Sequence, residues 1–335
     1  MSAHRVVLLP GDGIGPDVVK AACRVIDAAG VAIEWDVHEV GLPAFERGGE
    51  ALPAAVVEAV AERGVALKGP VSTPQDGRFR SVNIELRQRL DLYVQVRRCR
   101  SFSERAIDVL VARETTEDLY AGMEEAFGED RAVALKPVSA AATRRAARAA
   151  VAYARSVGRR RLTVVHKATA MPLTDGLFLR VAREEADGLE VDDLLVDVAA
   201  AELVKRPGEF DTIFTLNLYG DILADLLGAV VGSVGLVAGV NLGDGVAVFE
   251  PAHGTAPRHA GHDRANPTAA VLCGALLLRR LGEDEAATRI EAAVEEVLRE
   301  GTHVTYDVAR PGVAPVSTTA MADAVIAAIT VLGGG

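Results

Sequence analysis

Thr212-Ile-Phe-Thr-Leu-Asn-Leu-Tyr-Gly-Asp-Ile-Leu-Ala-Asp225 passes from an apolar run into a helical pattern, and that passage points to a layered α/β fold. The run Thr212–Leu218 reads as a strand. In the segment that follows, Asp221 and Asp225 stand four apart, so on a helix they share one face, a turn from each other. Like charges placed this way repel, which predicts a positive group between them. With Asp197 upstream and no Cys or His nearby, the oxygen donors favour a hard divalent ion, Mg2+ or Mn2+, over zinc. The alternative is that both acids serve a helix N-terminus, as cap and as answer to its dipole.

Outward from this unit, short Val/Ile/Leu runs alternate with helical patterns. Val6–Leu9, Val65–Leu67, Leu92–Val96, Val109–Ala112, Leu162–Val165 and Val246–Phe249 read as further strands, an alternation that predicts an α/β fold with much parallel sheet. The 335 residues suffice for two domains or one large α/β unit. No repeat or low-complexity linker marks a boundary, which is compatible with a discontinuous domain.

Composition narrows the class. Half the residues are apolar and the net charge is −11, a field that disfavours a dedicated nucleic-acid binder. The local exception is Arg144, Arg145, Arg148, Arg155, Arg159, Arg160 and Arg161, whose Ala-rich helical setting reads as a solvated face in preference to a phosphate-binding patch. Cys23, Cys99 and Cys273 are far apart without metal-type spacing, as in a reducing compartment. The start of the chain enters a strand with no basic leader. The most apolar stretch, Leu226–Val240, contains four glycines and is too short to span a bilayer. Together these predict a soluble, cytoplasmic protein without membrane or nucleic-acid partners.

The turn Gly11-Asp-Gly-Ile-Gly-Pro16 follows a strand and opens a helix. Its third glycine comes one residue too early for the dinucleotide fingerprint, so it reads as a tight strand-to-helix turn with Pro16 in the first helical turn. Arg87, in the helical stretch Asn83–Arg89, and Arg97 and Arg113, expected at the ends of apolar strands, suit a small polyanion because each guanidinium can clasp a carboxylate. The competing reading is that Arg is simply the preferred cation of a chain with only five lysines. Lys167 closes the strand Leu162–Val165; beside another cation in a desolvated site it can lose its proton. Tyr120 offers a complementary acid if such neighbours lower its ordinary value of about 10.

At this point the residues carry a resemblance. Leu8-Leu-Pro-Gly-Asp-Gly-Ile-Gly-Pro16, Lys68-Gly-Pro70, Arg80-Ser-Val-Asn-Ile-Glu-Leu-Arg-Gln88, Glu117-Asp-Leu-Tyr-Ala-Gly122, Lys136-Pro-Val-Ser139, His166-Lys167, Asn217-Leu-Tyr-Gly-Asp221 and His253-Gly-Thr-Ala-Pro257 resemble, in order, the motifs of the isocitrate/isopropylmalate dehydrogenase family. The resemblance implies two α/β domains around a large mixed, partly parallel sheet, with the active site in the cleft between them. It implies a discontinuous cofactor-binding domain over 1–99 and 234–335 and a smaller domain over 100–233, carrying the metal site and the dimer interface. Asp197, Asp221 and Asp225 match the Mg2+/Mn2+ ligands, and Arg87, Arg97 and Arg113 the clamps on the malate part of the substrate. Tyr120 and Lys167 match the acid and base. Asp197 and Lys167 match residues supplied by the neighbouring protomer, so each active site of a homodimer is shared. A noncatalytic subunit of the family would lack some of these five acidic, Tyr and Lys positions; all are present.

Substrate and cofactor are read at two places. Ser81 and Asn83 stand where enzymes for isopropylmalate resemble a more apolar surface, and two hydrogen-bonding side chains suit a carboxylate, because an apolar tail leaves them unpaired. Isocitrate is therefore expected. The cofactor site implied comprises Thr73, His253, Gly254, Thr255, Ala256, Arg258, His259, Asn266, Tyr306, Asp307 and Arg310. NAD-using relatives carry an acid where Arg258 stands, and Arg258, His259, Tyr306 and Arg310 suit the 2′-phosphate of NADP. Departures at Thr115, Thr169 and Arg98, where the family usually has Asn, Asn and Pro, keep homoisocitrate, an isocitrate analogue with another acidic tail, or 3-isopropylmalate as alternatives. Asp76 and Arg78 add charge beside the same loop.

Overall fold

Strand formation follows where apolar runs are buried on both faces. The computed structural model describes residues 3–103 and 106–333; residues 1–2, 104–105 and 334–335 of the two expected domain ranges lie outside the described residues. Twelve strands occur among the described residues: β1 (His4–Leu9), β2 (Ile33–Val37), β3 (Val65–Lys68), β4 (Val94–Arg100), β5 (Asp108–Glu114), β6 (Glu124–Ala126), β7 (Ala132–Ala134), β8 (Arg161–His166), β9 (Glu190–Leu195), β10 (Thr212–Thr215), β11 (Ala238–Leu242) and β12 (Ala247–Pro251). Ten form one sheet in the order β2-β1-β3-β12-β11-β4-β5-β10-β8-β9, and β6 and β7 form a separate hairpin.

The large sheet is mixed. β11 is antiparallel to both β12 and β4, and β4 to β5, whereas the outer pairs on each side are parallel. Residues 4–100 and 238–251 supply six of its strands, and residues 108–215 the other four.

Alternation along the strands sends side chains to two differently covered faces. One face is a continuous apolar layer: Val6, Leu67, Val96, Leu110, Val164, Phe214, Val240 and Phe249 pack with Val25, Ala146, Phe178, Ala270 and Ile290 from the covering helices. The other face carries two separate apolar patches. Val7, Leu9, Ala66 and Val248 lie under Val56, Val60 and Leu86; Cys99, Val109, Val111 and Ile213 lie under Leu203, Leu223 and Leu227. Between these patches, across the antiparallel middle of the sheet, the buried side chains are Lys68, Gln95, Arg97, Arg113, Asn241 and Glu250. A gap in apolar cover lined by buried polar groups is where a polar ligand finds partners.

Two expectations require correction. The strand expected over Thr212–Leu218 ends at Thr215, because the helix Asn217–Val230 begins within it. Arg97 does not end its strand: β4 runs on to Arg100, so Arg97 projects from the middle of the sheet. Among the described residues, no helix is long and apolar enough to cross a membrane.

Candidate active site

Asp221 and Asp225 lie in the second and third turns of the helix Asn217–Val230, whose first turn holds no acid. They are therefore not its caps, and the capping alternative fails. The helix start is served from outside: Leu218 N donates to Asp118 Oδ2 at 2.8 Å. Asp118 sits at φ 69° in the turn Asp118–Ala121 that also carries Tyr120. Gly220 lets this helix cross Arg113 closely, since a Cβ there would lie 2.5 Å from Arg113 Cβ.

The two aspartates converge on one cationic nitrogen. Arg97 Nη1 lies 3.3 Å from Asp221 Oδ1 and 3.1 Å from Asp225 Oδ1, so the repulsion expected from their spacing is relieved by a guanidinium. Arg113 Nη1 approaches Asp221 Oδ1 at 2.8 Å, donates to Asn217 O at 3.2 Å, and Arg113 Nε donates to Gln95 Oε1 at 2.9 Å. Arg87 is held by Asn241 Oδ1 at 2.9 Å and Glu250 Oε1 at 3.2 Å. All three arginines are buried, Arg113 to 2% exposure.

Glu250 fastens the group from behind, accepting from Lys68, Arg87, Gln95 and Asn241. Burial would raise its pKa, but Lys68 and Arg87 outweigh that and hold the carboxylate far below the usual range. Burial, then Arg87 and Arg97, lower the pKa of Arg113. That is the signature of a cation short of negative charge, because each effect disfavours its charged form. The cluster Lys68, Arg87, Arg97 and Arg113 against Glu250, Asp221 and Asp225 keeps anion-binding capacity in a low-dielectric setting. Gln95, Asn241 and Glu250 were not legible as site residues, for they lie on strands far apart in sequence.

Tyr120 OH donates to Asp221 Oδ2 at 2.5 Å, beneath the guanidinium of Arg113, which stands 5.9 Å from the ring centroid. The expected lowering of its pKa is overturned. Burial first, then the hydrogen bond and charge of Asp221, push Tyr120 up to about 12, against the pull of Arg113 and Arg87. With Asp221 as acceptor, the phenol keeps its proton through neutral pH in the metal-free chain.

Asp221 behaves oppositely: burial raises its pKa, and Arg113 and Arg97 more than reverse this. Asp225 stays above the usual carboxylate value, through burial and despite Arg97. The hard oxygen donors, converging on a site now filled by a guanidinium nitrogen, fit a divalent cation.

Asp197 stands apart from this pair. Lys167 Nζ donates to it at 2.5 Å, and both side chains are solvent-accessible, at 29% and 63%. Lys167 is thus beside an anion and partly exposed in the single chain, not desolvated beside a cation as its residue type suggested. Among the described residues of one chain, no three His, Cys, Asp or Glu side chains form a metal cage.

Ser81 and Tyr120 line one cleft of about 270 Å³ with Arg80, Glu85, Gln88 and Glu124. Asn83, on the helix Val82–Arg89, has its Oδ1 buried without a hydrogen-bond partner; this acceptor would be completed by a donor such as a hydroxyl, and toward a carboxylate only the Nδ2 amide of Asn83 can donate. Asp76 and Arg78 pair with each other on the exposed loop, so they do not reach into this cleft. Thr115 donates to Leu92 O at 2.7 Å and is buried, which assigns it to the scaffold.

The glycine turn does what its spacing implied and also anchors the loop expected to bind the cofactor. Ile14 N donates to Thr255 O at 2.9 Å, a Cβ on Gly13 would meet that oxygen at 2.1 Å, and Asp12 accepts from Leu42 N and Ser72 N. Ser72 Oγ meets Thr255 Oγ1 at 2.9 Å. Thr73, Gly254 and Arg258 are exposed along this rim, and His253 Nε2 is buried without a partner. Ala256 takes φ 36°, turning the chain into Pro257–His259.

The rings of His259 and Tyr306 lie 5.4 Å apart, and Arg264, unnoticed in the sequence, covers Tyr306 at 5.1 Å. Among the described residues Arg258 has no ion-pair partner, and Arg310 Nη2 donates to Arg299 O. Asn266 and Asp307 are spent on each other and on Thr268 N, Ser233 and Thr305, so they hold the shape of the rim. A rim with exposed cations, an aromatic pair and an orphaned imidazole nitrogen fits a phosphorylated nucleotide.

The basic helix is largely neutralised. Within the helix Ala140–Ser156, Arg144 and Arg148 pair with Glu184 and Glu185, and Arg145 with Asp91 while covering Tyr93; Arg159, Arg160 and Arg161 lie beyond that helix, contrary to the helical expectation, and Arg159 pairs with Asp108 and Asp211.

Known proteins resemble this chain in sequence and fold. A family model described as isocitrate/isopropylmalate dehydrogenase matches residues 5–325. An isocitrate/homoisocitrate dehydrogenase of Thermus thermophilus is 43% identical over 309 residues, covering 89% of this chain and 92% of its own. The human mitochondrial isocitrate dehydrogenase [NAD] subunit alpha is 37% identical over 311 residues, covering 90% and 85%. The crystal structure of isocitrate dehydrogenase from Methylococcus capsulatus superposes with a TM-score of 0.93 at 41% identity, covering 97% of this chain and 99% of that one. Motifs, fold and relatives together place this chain in the isocitrate/isopropylmalate dehydrogenase family.

Proposed function

We propose that the chain catalyses metal-dependent oxidative decarboxylation of isocitrate to 2-oxoglutarate, with NADP+ as hydride acceptor, on a homodimer whose sites each draw Asp197 and Lys167 from the neighbouring protomer. The observation that carries this reading is the convergence of buried Arg97 and Arg113 on Asp221, Asp225 and Tyr120, with buried Arg87 fastened to Asn241 and Glu250. Three buried guanidiniums suit a polycarboxylate, and Asp221 and Asp225, which here share Arg97, offer the hard oxygen donors a divalent cation takes. When bound, the cation supplies a Lewis acid and the nicotinamide a hydride acceptor.

The protein's own residues do the rest. Arg87, Arg97 and Arg113 orient the malate part, and Ser81 and Asn83 meet the third carboxylate. Lys167 takes the proton of the C2 hydroxyl. Tyr120, kept protonated by burial and Asp221, returns a proton to carbon after CO2 has left. We assign residues 1–99 and 234–335 to one domain and 100–233 to the other, divided at the seam between β4 and β5. The free cysteines Cys23, Cys99 and Cys273 and the paired arginines of the basic helix support a cytoplasmic enzyme with no nucleic-acid partner.

For the cofactor, unpaired Arg258 with His259 and Tyr306 supports NADP over NAD. The human relative's name specifies NAD, so the choice rests on those side chains. A second reading, homoisocitrate, is favoured by the name of the Thermus relative. The test is a screen of reduced-cofactor formation with isocitrate, homoisocitrate, 3-isopropylmalate, malate and tartrate, using NADP+ and NAD+ with Mg2+ or Mn2+. Isocitrate with NADP+ should have the highest kcat/KM. A win for isopropylmalate refutes the assignment of Ser81 and Asn83, and a win for NAD+ that of Arg258.

A further inference from the structure

Lys136, one of only five lysines, does not appear in the chemistry above, yet it stands where three of its elements meet. Its ammonium lies 2.6 Å from Asp175 Oδ1, 3.3 Å from the Tyr219 hydroxyl, 3.8 Å from Asp118 Oδ1 and 4.6 Å from the Tyr219 ring centroid. Asp118 and Asp175 are fully buried, at 1% and 0% exposure.

Each partner holds a different piece of the active site. Asp175 Oδ2 accepts from Lys167 N at 2.7 Å and so fixes the strand end that presents the base. Asp118 belongs to the turn of Tyr120 and accepts from Leu218 N at the start of the helix that presents Asp221 and Asp225. Tyr219 lies in the first turn of that same helix. Two buried carboxylates with one cation between them make a junction that cannot relax when the cation is removed, because an unpaired buried charge has nowhere to go.

We propose that Lys136 is a positioning residue that locks the Lys167 strand end to the Tyr120 turn and the aspartate helix, and that in the dimer it thereby couples the two active sites. The coupling rests on the shared-site reading: Tyr120, Asp221 and Asp225 serve the protomer's own site, whereas Lys167 serves its partner's. One ammonium then sets the geometry of half of each.

The test uses intact dimers. In K136M, kcat for isocitrate falls about a hundredfold, the scale of a misplacement of around an ångström, while isocitrate affinity by calorimetry in excess chelator holds, because Asn241 and Glu250 fasten Arg87 and Gln95 fastens Arg113 independently of Lys136. K136R restores part of the rate. Mixed dimers of one K136M and one wild-type chain, separated by two tags, run at well under half the wild-type rate, since both sites contain one displaced half. Unchanged kcat in K136M, or loss of isocitrate binding in step with kcat, overturns the positioning role; a mixed dimer at half the wild-type rate or more overturns the coupling. If K136M does not fold, Asp175→Asn in the same mixed-dimer format decides it by the same criteria. A separate mixed dimer of K167M with Y120F checks the underlying reading: shared sites leave one wild-type site and about half the activity, whereas complete loss refutes sharing and leaves the homodimer result to judge the positioning role alone.

Discussion

Asp221→Asn removes one charge and almost no volume from the point where Arg97, Arg113 and Tyr120, the proposed substrate clamps and acid, meet the proposed cation site. In the wild type its Oδ1 faces Arg113 at 2.8 Å and Arg97 at 3.3 Å, and its Oδ2 accepts from Tyr120. Breaking a buried ion pair by removing one partner costs roughly 3–5 kcal/mol. Here Arg113 keeps Gln95 and the Asn217 carbonyl, and Arg97 keeps Asp225, which lowers the expected loss to about 2 kcal/mol. At roughly 2.1 cal/mol/K per residue, that is a drop in Tm of about 3 °C.

The pH dependence has a definite sign. Arg113 and Arg97 hold the Asp221 carboxyl below its ordinary value although burial opposes them. Its stabilisation is present above the unfolded value of about 3.9 and is lost as pH falls through the lower folded value. The gap in Tm between wild type and D221N should therefore close in acid. Function should suffer far more than stability. Mn2+ affinity by calorimetry should weaken at least about tenfold, the lower end of what disturbing a metal's surroundings costs, and turnover should be nearly abolished. A D221N protein that binds Mn2+ and turns over like the wild type refutes the reasoning, whatever its Tm.

Tyr120→Phe should lower kcat about 10²–10⁴-fold, the usual scale for a lost general acid, with isocitrate binding retained. Because burial and Asp221 push Tyr120 up to about 12 in the metal-free protein, its phenol should ionise there only at strongly alkaline pH, as an ultraviolet difference titration of wild type against Y120F in chelator checks. A phenolate signal near neutrality that disappears in Y120F contradicts this. Asn83→Leu should cut kcat/KM for isocitrate roughly ten- to a hundredfold, by losing a buried hydrogen bond of about 1–3 kcal/mol, and raise the relative rate on 3-isopropylmalate; parallel losses on both substrates count against a selective role. Arg258→Asp should reduce the NADP+ to NAD+ preference in kcat/KM by at least about tenfold, the worth of a charge-assisted bond of roughly 1.5–3 kcal/mol, and an unchanged ratio removes Arg258 from cofactor choice.

The interior of the sheet was legible because β1, β3, β5, β8 and β10 are buried on both faces and read as apolar runs. The edge strands were not. β2 carries Glu34 and Asp36, and β9 carries Asp192 and Asp193, since strands at a sheet's rim keep polar residues that blur the pattern. Central β11 was hidden by Gly239, which makes room for Arg97, and by Asn241, which serves Glu250. The ordered motifs contained Arg87, Tyr120, Lys167 and Asp221, and the resemblance they support implied Arg97, Arg113, Asp197 and Asp225. They did not carry what holds those groups, because Glu250 meets Lys68 and Arg87, and Lys136 meets Asp175 and Asp118, only after folding. The direction of the Tyr120 shift was misjudged for the same reason: the acceptor that decides it, Asp221, lies about a hundred residues away in sequence.

The central claim is that acidic side chains grip a divalent cation on which the reaction depends. Reduced-cofactor formation from isocitrate and NADP+ by the purified protein, followed in excess chelator and again after addition of Mg2+ or Mn2+, tests it most directly. The account predicts no turnover in chelator, full recovery with either ion, and no recovery in D197N or D221N. Undiminished turnover in chelator contradicts it.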